Sequence, residues 1–62
     1  MNVGDLVMIR QDVPEYVAER GTSLGVIIGA HDPKTVPQLF EVLWTGGEVE
    51  SLYEDELDSA SR

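Results

Sequence analysis

His31 is the only histidine in the chain. Histidine acts as a general base when a nucleophile and an orienting acid surround it. It acts as a zinc ligand when at least three protein ligands converge. Asp32 is its neighbour in sequence, but the hydroxyls of Thr22 and Ser23 sit in another loop, and no spacing joins them to it. A surface histidine without a chemical role is the reading that follows. Glu54, Asp55, Glu56 and Asp58 form an acidic run that calcium would favour. It lacks the spaced D-x-D-x-D-G pattern and the distant glutamate of a calcium loop. Glu48 and Glu50 share one strand face without a cleft, so nothing raises a pKa there for acid–base work. Gly46-Gly47 is too short a glycine run, with no helix behind it, for a phosphate loop. No enzyme, metal or cofactor is therefore predicted.

The element that must position these groups is the stretch Leu39 to Leu57, LFEVLWTGGEVESLYEDEL. It reads as a β-hairpin running into one tight helical turn. With Gly46-Gly47 as a two-residue loop and both glycines at positive φ, Thr45 faces Glu48, Trp44 faces Val49, Val42 faces Ser51 and Phe40 faces Tyr53. Directly opposed residues share a face. One face then collects Phe40, Val42, Trp44, Val49 and Tyr53 as core. The other carries Glu41, Leu43, Thr45, Glu48, Glu50 and Leu52. Ser51 to Glu54 fits a capping box for the turn. Leu57 drops from that turn onto the open end of the core, beside Tyr53.

Around the hairpin, Val3 to Arg10 is a first strand entered through Gly4-Asp5, with Val7 and Ile9 inward and Leu6 and Met8 on the other side. Gln11 to Ser23 is a long connection in which YVAER forms a helical turn started by Pro14. Tyr16, in that turn, caps an open end of the core or serves as a contact residue. Leu24 to Ala30 (LGVIIGA) is a β-branched strand bounded by glycines, with Val26 and Ile28 expected in the core. Gly25 and Gly29 signal close backbone approach or a bulge. His31 to Gln38 is a loop whose Asp32 can hydrogen-bond backbone in a turn. The barrel is expected over residues 1–58, with residues 59–62 as a polar tail.

Sixty-two residues make one domain. A chain of this size buries only about 60% of the surface it exposes unfolded, and its core supplies roughly 3–5 kcal/mol. Little apolar surface is left to build an enclosed substrate pocket. There is no cysteine, so neither disulfides nor a thiolate zinc site hold the chain together. No apolar run is long enough to cross a bilayer and no leader segment is expected. Twelve acids against four bases give a net charge of −8, with six of the acids between Glu48 and Asp58. Nucleic-acid binders carry a basic footprint, so a phosphate backbone is disfavoured and a basic protein surface is favoured.

GDLV at 4–7, LGVIIG at 24–29 and FEVLWTGGEVESLYEDEL at 40–57 together resemble small SH3-like barrels, most closely the short stand-alone SH3-like proteins of tailed bacteriophages. KOW and Tudor-type barrels share parts of the pattern. The A-L-Y-D-Y stretch and doubled tryptophan of peptide-binding eukaryotic SH3 domains are missing, and the loop after the first strand is acidic where RNA-touching KOW modules are basic. The resemblance implies an all-β, SH3-like barrel of about five short strands with one short helical turn near the C-terminus. A minimal barrel with no pocket and an uneven charge points to a non-enzymatic protein–protein interaction module, which the resemblance makes phage-encoded, in the host cytoplasm or a virion. Its loops and acidic face would bind a host or virion protein through Tyr16, Glu48, Glu50, Glu54, Asp55 and Glu56. Two alternatives stand beside it: an acidic nucleic-acid mimic, and a small structural virion component.

Overall fold

The computed structural model describes residues 1–20 and 23–60, apart from the side chains of Tyr16, Glu19 and Arg20. The alternating runs become five antiparallel strands: β1 (Leu6–Ile9), β2 (Leu24–Ala30), β3 (Leu39–Trp44), β4 (Val49–Tyr53) and β5 (Leu57–Ser59). They lie in one sheet in the order β4-β3-β2-β1-β5. Helix α1 (Pro14–Arg20) occupies the long β1–β2 connection, and a 3-10 turn (Glu54–Glu56) separates β4 from β5. This order, with one long early connection and a late 3-10 turn, is compatible with an SH3-like fold. Pro14 stands at the first helical position, where its missing N–H costs nothing, and the Val17 N–H closes the turn on the Val13 carbonyl at 3.2 Å.

The core consists of Val7, Ile9, Ile27, Phe40, Val42, Trp44, Leu52 and Leu57. Val7, Ile9, Phe40, Val42 and Trp44 are residues the alternation places there, and Leu57 is the one expected to drop in from the turn. Two strands differ from expectation, each for a physical reason.

In the β3–β4 hairpin the turn has three residues instead of two. The Trp44 N–H donates to the Glu48 carbonyl at 2.8 Å, and the Gly47 N–H donates back to the Trp44 carbonyl at 2.8 Å. Gly47 has φ +91°, whereas Gly46 does not take the positive φ expected of it. This is the type I turn closed by a glycine bulge that three-residue hairpins favour. The register moves by one: Leu43 opposes Val49, Val42 opposes Glu50, Phe40 opposes Leu52 and Leu39 opposes Tyr53. A one-residue slip turns a strand over. Leu52 is therefore buried at 4% exposure, while Val49 and Tyr53, expected inside, are 54% and 45% exposed.

In β2 the inward residues are Gly25 and Ile27, and Ile28 is exposed while Val26 is half-buried. The cause is Trp44. A Cβ at Gly25 would stand 2.6 Å from Val42 Cγ1 and 2.8 Å from Trp44 Cε3. The strand turns its side-chain-free position toward the indole, which sets the phase of the strand. The register then shifts between Ile27 and Gly29.

The expected Ser51 capping box is also displaced. Ser51 is a strand residue opposite Glu41. Tyr53 precedes the turn, and its N–H donates to Glu56 Oε1 at 2.9 Å. Leu57 is buried as expected, but as the first residue of β5, opposite Ile9. Tyr53 stands on the other side of the sheet. β5 includes Ser59, opposite Val7, and the Ala60 N–H reaches the Leu6 carbonyl at 2.8 Å.

Candidate interaction surface

Where the alternation sends Val7, Ile9, Ile27, Val42 and Leu52 inward, it sends their neighbours outward. On that outer face the registers line up one residue from each of four strands: Leu6 opposite Val26, Val26 opposite Leu43, Leu43 opposite Val49. All four are aliphatic. Leu6 and Val49 are exposed, and Val26 and Leu43 are half-buried. Exposed Leu24 adds to the same side. Leu6, Leu24, Val26, Leu43 and Thr45 bound a shallow groove of about 290 Å³ that also touches Gly25 and Trp44. Its wall at the hairpin end is fixed, because the Leu24 carbonyl accepts from both the Thr45 N–H (3.0 Å) and the Thr45 hydroxyl (2.6 Å). Trp44 is 7% exposed, and its indole N–H finds no acceptor among the described residues.

The aliphatic row ends at Val49, on β4, an outer strand of the sheet. The Trp44 N–H donates to the Glu48 carbonyl, and bonded pairs alternate along an antiparallel ladder. Val49 and Ser51 therefore stand in the pairs that leave their N–H and C=O groups directed away from β3.

The acidic residues expected to bind a partner are divided among different environments. Glu48, Glu54 and Asp55 are exposed. Glu50 is half-buried opposite Val42, on the core side of β4. Glu56 is half-buried, and its carboxylate satisfies the Tyr53 N–H, which gives it a structural duty that sequence spacing did not assign to it. Tyr16 lies on α1, and its side chain is outside the described residues.

Two polar clusters lie outside the groove's lining. Arg10 donates from Nε and Nη2 to the two Asp12 carboxylate oxygens at 3.0 and 2.7 Å, and from Nη1 to the Asp55 carbonyl at 3.0 Å. The hydrogen bonds from Arg10 hold the Asp12 carboxyl below its ordinary value of 3.8. Arg10 thereby links the loop after β1 to the 3-10 turn, and the sequence carried no signal for it. His31 Nε2 lies 3.3 Å from Glu41 Oε1. The loop around it is held by the Asp32 carboxylate, which accepts from the Lys34 N–H at 2.9 Å as turn chemistry predicts. Among the described residues no group of three or more histidines, aspartates or glutamates is arranged to hold a metal ion. Among the described residues no helix is long and apolar enough to cross a membrane.

Comparison with known proteins adds nothing to this geometry: no protein-family model, no curated protein and no solved structure matches the chain.

Proposed function

We propose that this chain is a non-enzymatic protein-binding module. The observation that carries the reading is the aliphatic row Leu6–Val26–Leu43–Val49, the first three of which line a groove on the outside of a chain that has few apolar residues to spare. In a core-limited domain, apolar side chains left outside by four adjacent strands in succession are better explained by a partner than by folding. The charge of −8 favours a partner with a basic surface. The likeness to the short SH3-like proteins of tailed phages supports an accessory role in an infected host's cytoplasm or within a virion. The acids at 48, 50 and 56 differ in exposure and in duty, which gives the nucleic-acid mimic no support.

The test pairs the wild-type chain with Leu43→Glu, a change on the outer face that leaves every core side chain in place. Each is used as bait under identical conditions, with Trp44 emission verifying the fold. A protein retained by the wild type and lost with Leu43→Glu is the expected result. Equal retention by both baits, or none by either, removes the groove as a binding surface.

A further inference from the structure

We infer that the outer edge of β4 takes up an extended segment of a partner protein as a sixth strand, and that this segment alternates aliphatic with basic residues. The inference rests on the protein-binding reading and assigns the partner's chemistry.

Three features of β4 converge on it. Val49 and Ser51 direct their N–H and C=O groups away from β3, as the alternation from the Trp44–Glu48 pair requires. Both residues are exposed. An edge of this kind is a template for another strand.

The outer side chains along this edge are Val49, Ser51 and Tyr53, and Val49 ends the row Leu6–Val26–Leu43–Val49. An added strand would present every second side chain beside Val49 and Tyr53 and extend the row to a fifth position. Aliphatic residues fit there.

Its remaining side chains would emerge on the core side. Glu48 precedes β4, and Glu54 and Asp55 follow it. All three are exposed, and none of them pairs with a basic side chain among the described residues. Lysine or arginine at the alternate positions would meet carboxylates at both ends of the strand. The same charge bears on the other possible occupant. A second copy would bring another net charge of −8, with its own Glu48, Glu54 and Asp55, to the same edge. Self-pairing is opposed and a basic strand is admitted.

The experiment uses three capped synthetic peptides. One alternates lysine with valine, one has the same composition with the valines grouped, and one alternates glutamate with valine. Binding is measured by calorimetry, and amide hydrogen exchange of the full chain is followed by NMR with and without peptide. The alternating basic peptide is expected to bind best. It should slow exchange at the Val49 and Ser51 amides by about tenfold or more, as new ladder bonds require. Ser51→Pro deletes an outward N–H that β3 does not use, and should weaken that peptide by about tenfold. Glu48→Lys is the second variant. It should weaken binding several-fold and flatten its dependence on salt.

No preference for the alternating over the grouped peptide overturns the proposal, as does a dimer of the chain alone that protects Val49 and Ser51. Binding that leaves those two amides unprotected and shifts the resonances of Leu6 and Leu24 also overturns it. In that last case the protein-binding reading survives, since the groove is occupied without the edge.

Discussion

Gly25 shows how much one missing side chain determines. It lies under the only tryptophan, in a space where a methyl group would stand 2.6 Å from Val42 and 2.8 Å from Trp44. Gly25→Ala must displace the indole or bend β2, an overpacking that costs roughly 1–3 kcal/mol. At Gly29 the same methyl would meet Glu41 at 3.6 Å, an ordinary contact, so Gly29→Ala should fall within about 1 kcal/mol of wild type. Urea melts of the two variants, followed by Trp44 emission, check the contrast. Asp12 sets a second expectation at this scale. Its folded pKa is lowered by hydrogen bonds from Arg10, so its contribution is present above the unfolded carboxyl value. That contribution is lost as pH falls through the folded one. Asp12→Asn should therefore lose stability relative to wild type near neutral pH, and the difference should vanish in strong acid. Melting temperatures of both proteins across an acid series test this; a gap that persists unchanged in strong acid would contradict the sign.

At the scale of elements, the hairpin separates the two registers by mutation. Leu52 is buried and Val49 is exposed. Leu52→Ala should cost about 2–5 kcal/mol, which approaches the whole stability expected of a domain this small. Val49→Ala should change stability by no more than about 0.5 kcal/mol. The two-residue turn read from Gly46-Gly47 requires the reverse order, so thermal melts of the pair discriminate directly. The sequence told much about strand existence and little about strand phase. Runs rich in Val, Ile and Leu bounded by glycines located β1 through β4, and Pro14 located α1. Phase depends on facts that a local pattern does not contain. Thr45-Gly46-Gly47 supports a turn of either length, and only Gly47 at positive φ decides between them. In β2, the inward position is a glycine chosen by an indole on another strand, so counting apolar residues selects the wrong side. β5 has only three residues and one buried side chain, too short for alternation to register. The outer apolar row was equally hidden, because it exists only once four registers are known. Glu56 holds a backbone group within its own turn and Arg10 holds one across the fold, and composition gives no sign of such duties.

For the whole molecule, the charge of −8 governs behaviour in solution. No complex with duplex or single-stranded nucleic acid should form near physiological salt, because four bases among twelve acids do not offset the repulsion from phosphates. A gel shift at micromolar protein that weakens with salt would contradict this. Added salt should also raise the melting temperature, since it screens self-repulsion within about 10 Å at 0.1 M. The radius of gyration is 10.7 Å, that of a compact chain of this length. The ladder between β1 and β5 has a kinetic consequence. Neighbouring strands β2, β3 and β4 meet across short connections, but Ile9 must find Leu57 and Val7 must find Ser59 across nearly the entire chain. Closing so large a loop is entropically costly and gains nothing until both strands arrive. The β3–β4 hairpin should therefore be formed in the folding transition state, and the β1–β5 seam should form after it. Gly47→Ala, which puts a side chain at φ +91° and costs about 1–2 kcal/mol, should mainly slow refolding. Leu57→Ala should mainly accelerate unfolding. Stopped-flow chevrons of the two variants would then move on opposite arms, and the seam between the first strand and the last would be the place where the native chain first comes apart.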